Sequence, residues 1–128
     1  MIVYQVESKR SLPEVAKAFE AACQKNKFGV LGIHDLKAKL KEKGVEFDRD
    51  CLVYEICNPH QAKKVLEANP QISTALPCRV SIFSKGASVT LATIRPTSLL
   101  AMFENPELQP VAQEVEEVIL KIMDEASK

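Results

Sequence analysis

CLVYEICNPHQAKKVLEANPQISTALPCRVSIF, residues 51–83, is the stretch on which the fold turns. CLVYEIC, 51–57, is rich in β-branched and aromatic side chains and reads as a strand. Asn58-Pro59 then sets a capping residue before a proline in the first helical position. In the helix that follows, Ala62, Val65 and Leu66 fall inward, and Gln61, Lys63, Lys64 and Glu67 outward. Asn69-Pro70 ends it. QISTAL, 71–76, reads as an extended return, and CRVSIF, 78–83, as another strand. Leu52, Tyr54 and Ile56 share a face suited to a core, as do Cys78, Val80 and Ile82, while Val53, Glu55 and Cys57 share the opposite side. Antiparallel pairing of the two strands brings Cys57 and Cys78 to one edge of the sheet, and parallel pairing sets them at opposite ends. The residues leave both open.

Upstream, IVYQV at 2–6 reads as a first strand. Ser11, with Glu14 three residues on and Pro13 between them, forms a capping box for a helix reaching about Lys25. Leu12, Val15, Phe19, Ala22 and Cys23 make its apolar face. FGVLGIH, 28–34, reads as the second strand, and Asp35 caps a short helix over 36–43 that Gly44 closes. Its lysines, 37, 39, 41 and 43, step round the exposed side and read as a solvated face. Downstream, Lys85-Gly86 joins 78–83 to SVTLATI, 88–94, as a hairpin. Arg95-Pro96 stops that strand, Thr97 is the expected cap of a short helix over 98–103, and Asn105-Pro106 repeats the cap-and-proline signature. The last helix carries Val111, Val115, Val118, Ile119, Ile122 and Met123 on one stripe. Glu114, Glu116, Glu117, Asp124 and Glu125 are assigned to its outer side. The expected fold is α+β, one domain over 1–128, in β-α-β4-α order. Two short helices serve as connections, and the N- and C-terminal helices cover the sheet.

Composition narrows function by exclusion. At 128 residues the chain buries enough surface to fold without metal or disulfide. Lys plus Arg equals Asp plus Glu at 17 each, with two tyrosines and no tryptophan, which argues against a nucleic-acid surface. The N-terminal apolar run turns polar at Gln5 and does not read as a secretory signal, and no run approaches the length of a membrane span. A cytoplasmic location follows as the expectation. Four cysteines without a CxxC pattern read as free thiols.

The candidate site lies where a thiol meets a helix start. Cys57 directly precedes the Asn58 cap, where unpaired N–H groups and the positive end of the helix dipole gather. That position favours a thiolate or a bound anion; Glu55 and burial act against the thiolate. His60, in the first turn, offers a proton or a metal ligand, and with Cys57 and Cys78 supplies three ligand types at no recognised metal spacing. His34 joins the candidates because it too ends a strand before a short helix.

FGVLGIHDLKAKLKEKG at 28–44, the CNP at 57–59 with Ala62 and Leu66 behind it, LPCRV at 76–80 and RP at 95–96 together resemble the family known as domain of unknown function 302. The resemblance implies a β-α-β4-α fold and a homodimer, marks CNP and LPC as signature segments, and implies no reaction. The leading expectation is a small domain that binds a small molecule or anion near Cys57, Asn58, His60, Cys78 and His34. The alternatives are a thiol- or metal-dependent enzyme at the same residues, and a structural, dimeric interaction module. LLAMF, 99–103, is too apolar for a surface loop. It is expected to be buried against the core or in a two-fold interface.

Overall fold

The computed structural model describes residues 1–128. Strand β1 (Val3–Ser8) leads to helix α1 (Leu12–Lys25), strand β2 (Gly29–Asp35) and helix α2 (Leu36–Glu42). Strand β3 (Cys51–Cys57), helix α3 (Pro59–Ala68) and a 3-10 turn (Pro70–Ala75) follow. The hairpin of β4 (Cys78–Lys85) and β5 (Ser88–Ile94) comes next. Helix α4 (Pro96–Ala101), a second 3-10 turn (Pro106–Leu108) and helix α5 (Gln109–Ser127) complete the chain.

All five strands form one sheet in the order β1-β5-β4-β3-β2, and every neighbouring pair is antiparallel. The α+β expectation is therefore met. The open question about β3 and β4 is answered by their register: Ile56 lies opposite Cys78, and Cys51 opposite Phe83. Gly86, at φ 60, starts the two-residue turn between Lys85 and Ser88, a backbone state that suits glycine.

Local signals explain where the elements start. In α1, Ser11 Oγ accepts from the Glu14 N–H at 3.3 Å and a Glu14 carboxylate oxygen accepts from the Ser11 N–H at 3.1 Å, closing the capping box that the sequence predicts. Asp35 caps α2 through the Ala38 N–H, and Asn58 caps α3 through those of His60 and Gln61. Helices α1 and α5 pack on one face of the sheet. The core between them holds Val15, Phe19 and Cys23 from α1, Tyr54, Ile56, Val80, Ile82 and Leu91 from the strands, and Ile119, Ile122 and Met123 from α5. Phe19 meets Tyr54 edge-on at 5.0 Å, and the Tyr54 hydroxyl donates to Glu20 at 2.6 Å. A second cluster of Val65, Ile72, Leu100, Leu108 and Ala112 joins α3, the 3-10 turns, α4 and α5.

Four expectations need correction. QISTAL does not run extended. Asn69 caps the Gln71 N–H at 3.0 Å, and the chain coils so that Ile72 is fully buried in the second cluster. Thr97 does not cap α4, which begins at Pro96, two residues before the expected start, with no cap from its own N-cap residue Arg95; the Glu116 carboxylate instead accepts from the Thr97 N–H at 3.1 Å and from its hydroxyl at 2.7 Å. Asn105 caps nothing either. Its side-chain oxygen accepts from the Asn69 amide at 2.8 Å, which ties the two Asn-Pro corners together. The acidic side of α5 is not all outward: Glu116 is half-buried against Arg95 at 3.4 Å and Thr97, and Asp124 accepts from the Tyr4 hydroxyl at 2.6 Å. The expectation for LLAMF is met in part: Leu100 is buried and Phe103 packs on the second cluster, while Met102 is 68% exposed.

Candidate ligand-binding site

Because β3 and β4 are antiparallel neighbours, the end of one meets the start of the other. The CNP and LPC segments therefore face each other across a single sheet edge. Between them lies a half-open cavity of about 50 Å³. Its sheet-side wall is Phe28, Ile56, Cys57 and Cys78, and its outer wall comes from α3, α4, α5 and the turn at Ala75–Pro77. Thirteen of its 17 lining residues are hydrophobic, and none is charged. A space of that size exceeds what one water needs but falls well short of the ~150 Å³ that admits benzene. It suits the end of a small aliphatic group.

Of the residues singled out from the sequence, Cys57, Asn58 and Cys78 line the cavity. His60 does not: it stands exposed on the solvent side of α3, with only its backbone N–H engaged by Asn58. His34 does not either. Its strand partner is Val53, four residues along β3 from Cys57, or about 13 Å at strand spacing. There it meets Glu55 through Nε2 at 3.0 Å, and Lys39 Nζ reaches its Nδ1 at 2.9 Å. An ammonium has only donors, so Nδ1 accepts and Nε2 carries the proton toward Glu55. Arg79 takes the other Glu55 oxygen at 3.1 Å. The His34 hydrogen bond, with the Arg79 guanidinium behind it, holds the Glu55 carboxyl below the usual range. This cluster is an ion-pair network on the sheet face away from α1 and α5.

The two thiols behave alike. Burial pushes the Cys57 thiol up, so the helix end does not prevail as the sequence allowed. Its dipole is already answered, since the Asn58 side chain takes the N–H groups of His60 and Gln61. Burial, then the charge of Cys57, raises Cys78 to about 11. Both sulfurs are protonated at neutral pH and act as soft, weakly polar wall. All four cysteines are free. No group of three His, Cys, Asp or Glu side chains stands where it could hold a metal ion, and the Cys57, His60 and Cys78 set fails because His60 points away.

The sequence reading missed Gln61, which it placed outward. Its side chain instead turns along the cavity wall: Nε2 donates to Glu114 Oε2 at 3.0 Å, while Oε1 is fully buried and accepts from nothing. A buried acceptor left open costs roughly 1–3 kcal/mol, so it is a notable feature of an otherwise apolar wall. A 3.6-residue period could not reveal this, because Gln61 lies on the boundary between the two faces of α3. Leu99 and Leu100 also line the cavity. The apolar LLAMF run was the signal for them.

The chain is similar to a solved structure described as an uncharacterized conserved protein DUF302 from Bacillus stearothermophilus. The two share 27% identity and a TM-score of 0.94, over 100% of this chain and 99% of that one. No curated protein matches. The family model described as "Domain of unknown function DUF302" matches residues 4–126. With that match spanning nearly the whole chain, and the CNP and LPC segments meeting in one fold, the protein belongs to the DUF302 family.

Proposed function

We propose that the protein binds a small molecule at the β3–β4 edge, with an aliphatic end in the cavity and a hydrogen-bond donor satisfying Gln61. The observation that carries this is the buried, unpartnered Gln61 Oε1 on a wall with no charged residue. An apolar pocket with one placed polar group is the usual form of a small-molecule site. The absence of a cation from the wall, and the capping of the α3 N–H groups by Asn58, favour a donor over an anion. The protonated thiols favour binding over nucleophilic catalysis. Free cysteines fit a reducing compartment such as the cytoplasm, and no helix is long and apolar enough to cross a membrane. The test uses two isomers, 1-pentanol and butyl methyl ether, titrated against backbone amide NMR shifts. Pentanol, with its donor, is expected to bind about five-fold tighter, the worth of one net hydrogen bond. Gln61→Met should erase that preference. Equal binding of the isomers, or no shifts around Cys57 and Cys78, would refute the reading.

A second reading, a homodimer, is favoured by the other end of the sheet. β2 is an edge strand, and Val30, Leu31, Ile33, Leu36, Leu40, Val45 and Phe47 are all exposed around it. So large an apolar surface beside an unpaired strand edge suits a second copy joined by a two-fold axis. Sedimentation velocity should show a dimer, and Leu31→Lys with Ile33→Lys should give a folded monomer. A parent chain that sediments as a monomer at micromolar concentration would rule the dimer out.

A further inference from the structure

The apolar cavity is not alone at this edge. A wider depression of about 370 Å³ adjoins it and shares Phe28, Asn58, Gln61 and Val115 with it. Asn26, Asn58, Gln61, Glu114 and Glu117 supply its polar lining, and no Lys, Arg or His does. Gln61 therefore stands at the junction of an uncharged hollow and a carboxylate-bearing one. Three acceptor groups line the latter. The first is the buried Gln61 Oε1, which has no partner. The second is the Glu114 carboxylate, one oxygen of which accepts from Gln61 Nε2 at 3.0 Å. The third is the Glu117 carboxylate, which enters none of the ion pairs of the molecule.

Extending the ligand-binding reading above, on which this rests, we propose that the ligand is a primary alkylamine. Its chain fills the hollow beside Cys57 and Cys78, and its ammonium lies at Gln61, between Glu114 and Glu117. The chemistry of the head group selects it. An ammonium has three donors and no acceptor, which matches the three acceptor groups named above. An alcohol satisfies Gln61 but leaves both carboxylates without a counter-charge, and a carboxylate or phosphate head meets two like charges. The asymmetry of the two hollows sets the orientation: burying the ammonium among Ile56, Val65 and Leu100 would strip its water without a partner.

The test compares pentylammonium chloride with 1-pentanol at neutral pH, again by amide NMR shifts. The ammonium is expected to bind about five-fold tighter at low salt, the scale of a solvent-exposed charge interaction. Most of that advantage should vanish at high ionic strength, where exposed charges are screened. Glu117→Gln keeps the side chain's size and removes its charge, and should cut the ammonium-to-alcohol affinity ratio by about half or more. Binding of pentanol with no preference for the ammonium, or a preference that Glu117→Gln and salt leave intact, would overturn the amine assignment alone. Failure of both ligands to bind would overturn the small-molecule reading and this assignment with it.

Discussion

Cys23, Cys78 and Tyr54 each keep a proton that the unfolded chain gives up at lower pH. Burial raises Cys23 to about 12, with a smaller push from Glu20, and raises Cys78 to about 11, with a smaller push from Cys57. Burial, then the hydrogen bond to Glu20, raises Tyr54 as well. The sign of the consequence follows from proton counting. Above the ordinary thiol value of 9.0, the unfolded state has released protons that the folded state still holds, so stability falls as pH rises. It is fully present below that value and declines through the folded values. Urea denaturation should therefore show a lower midpoint at about pH 10 than at pH 8, and Cys78→Ala should lessen the difference. An unchanged midpoint would mean that these thiols are not buried as described. The same protonated state answers the question raised by a cysteine before a helix: at Cys57, desolvation outweighs the dipole. Sequence showed both influences but not their relative size, because burial depends on residues distant in the chain, such as Phe28, Leu99 and Leu100, which line the same cavity.

Among the elements, α3 starts on a single capping side chain. Asn58 accepts from two N–H groups at its start, at 3.1 and 3.2 Å, and no acidic residue follows in the first turn. Asn58→Ala should cost about 1 kcal/mol in chemical denaturation, and Asn58→Ser should recover most of it because a hydroxyl also caps. If the two variants are equally destabilised, the loss comes from the cavity wall and not from the cap. This helix start was legible in the sequence, as were those of α1 and α2, because capping is chemistry between near neighbours. The turn at 70–75 was not. Its coil is set by Ile72 reaching a cluster whose other members lie at 65, 100, 108 and 112, and local residues do not state that need. Thr97 and Asn105 misled for the same reason: each looks like a cap, and each spends its side chain on a distant partner, Glu116 or Asn69.

Across the whole molecule, the strand alternation and the helical stripes were enough to give the class and the two-layer plan. What they left open was the pairing of β3 with β4, and the site hung on it: antiparallel contact is what unites Cys57 with Cys78 and leaves His34 with Glu55 instead. That pairing also recasts residues 58–77. Topologically, β3 and β4 form a hairpin, and α3 with its following turn is the hairpin's loop. A tight two-residue loop grown to this length loses about 2 kcal/mol in closure entropy. Val65 and Ile72, both buried, offset that by roughly 1.5–3 kcal/mol each. The loop is thus held by a small cluster that it shares with α4 and α5, with none of the sheet's ladder bonds passing through it. Amide hydrogen exchange should therefore be faster across 58–77 than along the five strands, and a ligand lodged beneath the loop should slow it, as the rivet between the two.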